Sequence, residues 1–173
     1  MPAKPGDKLP SAIIIMGVCG TGKSTVGIQL ADTLGWPFAD ADDFHPPTNV
    51  AKMRAGTPLN DADRTPWLDT LRDHLRAQAP TVLACSALKR QYRDRLRTAA
   101  AGIRFVYLHG DRDLLATRLG ARAGHYMPSS LLDSQLATLE APSTDEAIWC
   151  DIAQPPGRIV QSVLAALTGS TFG

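Results

Sequence analysis

Short apolar runs alternate along the chain with longer stretches in which apolar residues recur every three or four positions. The short runs are rich in β-branched and small apolar residues and predict buried strands, whereas the longer periodic stretches predict amphipathic helices. The predicted strands span residues 12–16, 36–40, 81–85, 103–108 and 147–152. The predicted helices span residues 26–34, 49–55, 65–75, 88–96, 111–119, 129–139 and 155–167.

This alternation of strand and helix favours an α/β fold in which helices cover both faces of one parallel sheet. In sheets of this kind, ligands bind at the carboxyl ends of the strands. The residues that directly follow each apolar run are therefore the first candidates for a functional site.

The composition is that of an ordinary globular protein. The 173 residues are 44% hydrophobic and 20% charged, which predicts a single domain over residues 1–173. The formal net charge is only +1, so we expect no nucleic-acid partner. No apolar run approaches the roughly 18 residues of a membrane helix, and residues 1–10 lack the apolar core of a signal peptide. Three cysteines without metal or redox spacing fit reduced thiols in the cytoplasm.

Residues 17–24, here called the phosphate loop, read Gly-Val-Cys-Gly-Thr-Gly-Lys-Ser and fit the pattern G-x-x-x-x-G-K-[ST]. The glycines let backbone N–H groups curl toward a phosphate, and the N-terminus of the following helix adds partial positive charge. We expect Lys23 to reach the β- and γ-phosphates and Ser24 to offer its hydroxyl to Mg²⁺. The residues assigned to the nucleotide here are Gly17, Gly20, Thr21, Gly22, Lys23, Ser24 and Thr25.

Three carboxylates follow the second predicted strand, at Asp40, Asp42 and Asp43. They fit either a solvated loop that caps the next helix or a site for Mg²⁺ and a substrate hydroxyl. Positions two apart point to the same side while the chain stays extended, so Asp40 and Asp42 can face one site. Asp111 and Asp151 also follow strand patterns, and spacing alone does not choose the metal ligand.

Several cations are candidates for binding an anionic substrate group. Arg64 is the best candidate for a forked contact with an anionic substrate group, although an ion pair with Asp61 or Asp63 explains it equally well. Lys89 and Arg93 are four residues apart and are therefore expected on one face at the start of a helix. Cations there oppose the helix dipole, which favours a role in binding an anion; a solvated face is the alternative.

Three further residues are candidates from their surroundings. His45 stands beside prolines and fits a ligand as well as a packed loop residue. Arg118 and Arg122 are again four apart and precede residues 123–128, a stretch that is able to move. Paired arginines beside such a stretch suit a lid that closes over a triphosphate.

Five ordered blocks resemble the gluconokinase family, small P-loop sugar-acid kinases related in fold to shikimate kinase. The blocks read GVCGTGKS; DADDFHP followed by N and KM; G-x-PLNDADR-x-PWL; ACSALK-x-x-YRD-x-LR; and RAGHYMP followed by LL-x-SQ-x-x-x-LE-x-P. The resemblance extends from Ile13 to about Leu167. Cys19 departs from the usual serine, at a position whose side chain points away from the phosphates.

The resemblance implies a three-layer P-loop kinase fold with a five-stranded parallel sheet and a lid at about residues 122–130. It also implies ATP and Mg²⁺, transfer of the γ-phosphoryl group to the 6-hydroxyl of D-gluconate, and a homodimer. Asp40 would serve Mg²⁺ with Ser24, and Asp42 would hold the accepting hydroxyl.

The remaining site residues follow from the same resemblance. The catalytic residues implied are Lys23, Asp42 and Arg122. The substrate-binding residues implied are Asp42, His45, Arg64, Ser86, Lys89 and Arg93. Within that set, Arg64 together with Lys89 or Arg93 would hold the carboxylate of gluconate. Arg118 is expected near the adenine and phosphates, and Gln154 and Pro155 are expected to border the base.

Other enzyme classes fit parts of the sequence. Shikimate and nucleoside monophosphate kinases share the fold and differ in the acceptor. A GTPase-like switch requires a guanine-reading N-K-x-D motif, which the sequence lacks. Its D-x-x-G match at residues 32–35 lies on the first predicted helix, which is the wrong place for a switch.

Overall fold

In the computed structural model, which describes residues 9–120 and 129–169, strands and helices alternate along the chain as the sequence pattern predicts. The strands are β1 (Ala12–Met16), β2 (Phe38–Asp40), β3 (Thr81–Ala84), β4 (Ile103–His109) and β5 (Ala147–Asp151). The helices are α1 (Lys23–Leu34), α2 (Pro47–Arg54), α3 (Asp61–Ala77), α4 (Arg90–Arg97), α5 (Arg112–Gly120), α6 (Ser129–Thr138) and α7 (Pro156–Thr168).

The five strands form one parallel sheet in the order β2-β3-β1-β4-β5, so the predicted five-stranded parallel sheet is confirmed. β1 lies at the centre, where Ile14 pairs in register with Leu83 of β3 and with Phe105 of β4. Because all strands run the same way, their carboxyl ends lie at one edge. None of the described helices is long and apolar enough to cross a membrane.

The side chains of β1 alternate between two apolar cores, one on each face of the sheet. Ile13 and Ile15 pack with residues of α1, α5 and α7, and Ile14 and Met16 pack with residues of α3 and α4. All four side chains are fully buried. Since each buried side chain of this size stabilises the fold by about 1.5–3 kcal/mol, β1 is anchored from both faces. The predicted three-layer arrangement is confirmed.

The chain leaves β2 differently from the sequence prediction. β2 ends at Asp40, and a 3₁₀ turn, Ala41–Phe44, follows directly. The carboxylate of Asp40 accepts the backbone N–H of Asp42 at 3.0 Å, and this bond opens the turn. The chain is therefore not extended between the two aspartates. The argument that both side chains point to the same side because the chain is extended is wrong.

Two helix starts also differ, because local capping decides them. α3 begins earlier than Thr65, since Asn60 and Asp63 form a capping box in which each side chain accepts the other residue's backbone N–H. α4 begins at Arg90 with Lys89 as its N-cap residue. Lys89 therefore precedes the helix instead of lying on its face.

Arg93 has a structural role, which corrects its place among the substrate-binding candidates. Its side chain is 1% exposed and pairs with Glu146 at 2.6 Å. Its guanidinium also donates to the carbonyls of Ala87, Leu88 and Glu140. Each N–H of the guanidinium thus has a protein acceptor, and none is left for a substrate carboxylate.

The contacts of Arg93 shape the segment that follows β3. Ala87 has a φ of +45°, a left-handed conformation that costs a residue with a side chain about 1–2 kcal/mol. Arg93 binds the carbonyl of Ala87 at 2.8 Å and so helps to hold this conformation. The same segment carries Ser86 and Lys89 at the carboxyl edge of the sheet.

Replacing Arg93 should destabilise the fold. Arg93→Met leaves three carbonyls without their donor and leaves Glu146 with Arg97 alone, at 2.8 Å. Removing one side of a buried ion pair costs about 3–5 kcal/mol, so the urea midpoint should fall clearly. Arg90→Met is the control, because that side chain is 74% exposed and should shift the midpoint little. Equal midpoints for the two variants would contradict the structural role of Arg93.

Candidate active site

Segments that follow β1, β2, β3 and β5 meet at the carboxyl edge of the sheet. They are the phosphate loop, the 3₁₀ turn Ala41–Phe44 and the segments 85–89 and 152–155. The backbone N–H of Gly17 donates to the carbonyl of Ser86 at 3.3 Å, which joins the phosphate loop to the segment after β3. The residues that the sequence assigned to nucleotide and substrate are concentrated here.

The path of the phosphate loop requires glycine at two positions. Gly17 has a φ of +152°, and a Cβ on it would lie 2.8 Å from the carbonyl oxygen of Leu108. Gly20 has a φ of +86°, and a Cβ on it would lie 3.1 Å from Leu119 of α5. Glycine alone combines this conformation with this close approach. The path leads to the N-terminus of α1, where unpaired backbone N–H groups favour a phosphate.

Lys23, the first residue of α1, folds back over the phosphate loop. Its Nζ donates to the carbonyl of Val18 at 2.9 Å, and the hydroxyl of Thr21 donates to the same carbonyl. Burial lowers the pKa of Lys23, and the carboxylates of Asp42 and Asp40 oppose that change. The ammonium group and the two carboxylates therefore belong to one electrostatic site.

Asp40 is joined directly to the phosphate loop. The hydroxyl of Ser24 donates to its Oδ2 at 2.8 Å. Within residues 9–120 and 129–169, no three His, Cys, Asp or Glu side chains gather as an all-protein metal site. A hydroxyl and a carboxylate beside a phosphate site are the donors that Mg²⁺ uses together with phosphate and water oxygens. Ser24 and Asp40 therefore fit the ion assigned to them.

Asp42 is brought beside Asp40 by the 3₁₀ turn. Partial desolvation raises the pKa of Asp42, the carboxylate of Asp40 raises it further, and Lys23 opposes both. Its side chain is nevertheless 84% exposed, so we expect the rise to be small. A carboxylate that is open to solvent is available to a ligand hydroxyl.

His45 combines the two interpretations that the sequence left open. Its ring stacks on Trp67 with centroids 4.2 Å apart, and its side chain is 4% exposed. Its Nε2 lies 3.9 Å from Oδ1 of Asp42. Burial and the nearby guanidinium of Arg64 lower the pKa of His45. The ring is thus packed, while one nitrogen remains beside the exposed carboxylate.

Arg64 and Lys89 come together around Tyr92. The Tyr92 hydroxyl accepts a hydrogen bond from Nη1 of Arg64 at 3.0 Å and donates one to Asp61. Nζ of Lys89 contacts Asp61 at 3.0 Å. Both cationic groups lie over the Tyr92 ring, at 5.5 and 5.7 Å from its centre. We call Arg64, Lys89 and Tyr92 the cationic wall.

The ion pairs around the cationic wall decide between the alternatives for Arg64. Asp61 pairs with Lys89, and Asp63 pairs with Lys52 at 2.8 Å. In the part of the chain that the structure describes, no ion pair joins Arg64 to a carboxylate. Arg64 therefore remains a cation that a substrate carboxylate can match.

Arg118 lies with the other two residues assigned to the base. Its Nη2 donates to the carbonyl of Ile152 at 2.6 Å, which joins α5 to the segment 152–155. Gln154 and Pro155 follow in that segment and are exposed. Arg122 and residues 121–128 of the expected lid region lie outside the described residues.

Sequence reasoning missed two residues of this region, Gln135 and Asn49. Oε1 of Gln135 on α6 accepts the backbone N–H of Cys19 at 2.7 Å and so ties α6 to the phosphate loop. Asn49 on α2 is buried and contacts His45. Both residues stand in the blocks that carry the resemblance, but no spacing rule indicates what their amide groups contact.

Comparison with known proteins agrees with this geometry. A family model described as an AAA domain matches residues 13–142. A gluconokinase of Gluconobacter oxydans is 52% identical over 143 residues, which cover 80% of this chain and 80% of that protein.

Solved structures of related kinases also match this chain. The crystal structure of a gluconokinase from Sinorhizobium meliloti matches with a TM-score of 0.87 and 48% identity, covering 94% of both chains. A shikimate kinase from Aquifex aeolicus matches with a TM-score of 0.60 at 17% identity, covering 91% of this chain and 96% of that one, and shares the fold alone. The phosphate loop, the sheet topology and these similarities lead to one conclusion: the chain belongs to the gluconokinase family of P-loop kinases.

Proposed function

We propose that this protein transfers the γ-phosphoryl group of ATP to the 6-hydroxyl of D-gluconate, giving ADP and 6-phospho-D-gluconate. The observation that carries the proposal is the meeting of the phosphate loop, Asp40 and Asp42 at one sheet edge, beside the cationic wall. Membership of the gluconokinase family supports the choice of acceptor.

The nucleotide is held mainly by charge and by backbone N–H groups. Lys23 and the phosphate loop neutralise the β- and γ-phosphates, where charge is spread in the transition state. Phosphoryl transfer needs little covalent help from the protein, so positioning and charge supply most of the rate. We assign Arg118, Gln154 and Pro155 to the base and adjoining phosphates, and Arg122 to a lid at about residues 122–130.

Ser24 and Asp40 are the residues that would hold Mg²⁺. When bound, the ion would supply charge neutralisation at the phosphates. The hydrogen bond between Ser24 and Asp40 keeps both oxygens together next to the phosphate loop.

Asp42 orients the acceptor. Its exposed carboxylate accepts a hydrogen bond from the hydroxyl and takes the proton as the new bond to phosphorus forms. Proton transfer comes late, because the transition state is loose and the nucleophile needs little prior activation.

Arg64 and Lys89 bind the carboxylate of gluconate. Arg64 supplies a planar fork that suits a carboxylate, and Tyr92 holds that fork in place. Lys89 adds a second cation, which is held by Asp61, the same carboxylate that accepts the Tyr92 hydroxyl. Ser86 and His45 lie along the same edge and are assigned to substrate hydroxyls.

We further infer that the protein works as a cytoplasmic homodimer. The family resemblance supports the dimer. Cys85 and Cys150 are buried free thiols, which fits a reducing compartment.

A coupled assay of ADP release with D-gluconate, D-glucose, shikimate and AMP as acceptors tests the function. Gluconate should give the highest kcat/KM, at least about 100-fold above that of glucose, because glucose leaves Arg64 without a carboxylate partner. Similar values for the two sugars would refute the proposed acceptor, and a preference for shikimate or AMP would assign the chain another reaction.

Asp42→Asn should lower kcat by at least about 100-fold, since the amide keeps the size but loses the charge and basicity of a positioned base. KM for ATP should change little. Asp43→Asn is the matched control one position along, where the side chain is exposed, and it should retain activity.

Asp40→Asn should behave differently from Asp42→Asn. It should raise the Mg²⁺ concentration that gives half-maximal rate, because it removes a charge beside Ser24. If Asp42→Asn shifts the Mg²⁺ requirement and Asp40→Asn does not, the two roles are reversed.

Arg64→Gln should raise KM for gluconate about 10- to 100-fold, the range expected when a hydrogen bond to a charged group is lost, and should leave KM for ATP unchanged. Arg104→Gln is the control, because Arg104 pairs with Ile13 near the amino end of β4 and is exposed there. An equal effect of both substitutions, or a rise in KM for ATP alone, would remove Arg64 from the substrate site.

A further inference from the structure

Asn49 is a buried polar residue whose hydrogen bonds fix the orientation of its amide. The residue is 2% exposed. Its Nδ2 donates to the backbone carbonyl of Asp63 at 2.9 Å, and the same nitrogen lies 3.2 Å from Nδ1 of His45. A carbonyl oxygen can only accept, so the Asp63 contact identifies the atom as the amide nitrogen. Its second hydrogen is left for His45.

This contact determines which nitrogen of His45 carries the proton. An amide NH₂ group donates and does not accept, so Nδ1 of His45 is the acceptor and the proton of the neutral ring is on Nε2. Trp67 holds the ring plane by stacking, and its own Nε1–H donates to the carbonyl of Ala41 at 2.7 Å. The ring is thus fixed in plane, orientation and tautomer.

The Nε2–H of His45 is a hydrogen-bond donor that lies near the carboxylate of Asp42. Within the described ranges it makes no hydrogen bond, although more than nine-tenths of the side chain is buried. It lies 3.9 Å from Oδ1 of Asp42, which is too far for a direct hydrogen bond. One oxygen atom between the two can lie about 2.8 Å from both.

We propose that this oxygen is the accepting hydroxyl of the sugar acid, held jointly by His45 and Asp42, with Asn49 as the positioning residue of His45. The inference rests on the proposed kinase function and deepens it. The hydroxyl donates its hydrogen to Asp42 and receives the Nε2–H on one lone pair. Its other lone pair stays free for the γ-phosphorus.

The step balances without a further reactant. As the bond from the hydroxyl oxygen to the γ-phosphorus forms, the bond from that phosphorus to the bridging oxygen of ADP breaks. The hydroxyl proton passes to Asp42, and His45 keeps its proton throughout. The opposite tautomer would present a lone pair at Nε2, which competes with Asp42 for the proton and leaves the nucleophile free to rotate.

Nitrogen-15 NMR of the histidine side chains tests the tautomer without turnover. His45→Gln identifies which of the four histidine signals belongs to His45. We expect a neutral ring protonated on Nε2, whose Nε2 signal shifts when gluconate is added to the MgADP complex and does not shift with glucose. A ring protonated on Nδ1, or a signal that gluconate leaves unchanged, overturns the proposal.

This readout separates the inference from the proposed function. If the wild-type protein fails to release ADP with gluconate, the function fails, whatever the tautomer. If gluconate is turned over but its binding leaves the Nε2 signal unchanged, the function stands and the role of His45 fails.

Two substitutions at His45 test the donor itself. His45→Gln keeps an amide oxygen for Asn49 and an N–H for the hydroxyl, so it should retain most of kcat. His45→Met keeps the bulk without the donor and should lower kcat about 10- to 100-fold, the size of effect that a misplaced reactant produces. KM for ATP should stay unchanged in both. His109→Gln on β4 is the control and should leave kcat unchanged.

The melting temperature is measured for each variant, because His45 is also packed. A lower melting temperature with unchanged kcat in His45→Met assigns a purely structural role and overturns the proposal. Asn49→Asp, which turns the donor into an acceptor, should move the proton of His45 to Nδ1 and lower kcat with it. If Asn49→Asp does not fold, the comparison of kcat between His45→Met and His45→Gln tests the donor role of His45 by itself.

Discussion

Burial of β1 on both faces is the constraint on which the rest of the site depends. β1 pairs with β3 and β4, and its side chains fill the cores on both faces of the sheet. Its carboxyl end is therefore fixed at the centre of the edge. The phosphate loop starts there and ends at α1, and these two anchors force the tight path that Gly17 and Gly20 make possible.

Around that fixed loop, short hydrogen bonds place the functional groups. Ser24 joins Asp40 to the phosphate loop, and Asp40 in turn caps the turn that carries Asp42. The segment after β3 is bonded to Gly17 on one side and shaped by Arg93 on the other. Asp40, Asp42 and Ser86 are thus positioned by neighbours that are themselves held by the sheet, which suits a reaction governed by positioning and charge.

Arg64 and Arg93 illustrate how burial and the available hydrogen-bond acceptors give two arginines different roles. Both stood in the sequence as cations near a predicted substrate site. Arg93 is buried among carbonyls and Glu146, groups that satisfy its guanidinium completely. Within the described residues, the one side-chain hydrogen bond of Arg64 goes to the hydroxyl of Tyr92. Several acceptors of Arg93 lie about fifty positions further along the chain, so local pattern gives no sign of them.

The sequence by itself determined the features that depend on neighbouring residues. The strand and helix pattern, the parallel sheet and the phosphate loop follow from side-chain periodicity and from a contiguous motif, and the structure confirms the fold. The starts of α3 and α4 were less well predicted, since single capping bonds decided them. Only the tertiary structure decided which carboxylate Ser24 contacts, which side chain contacts Nδ1 of His45, and which arginine stays available. The physical reason is that hydrogen bonds are directional and their partners come from distant segments, so their pairing exists only after the chain has folded.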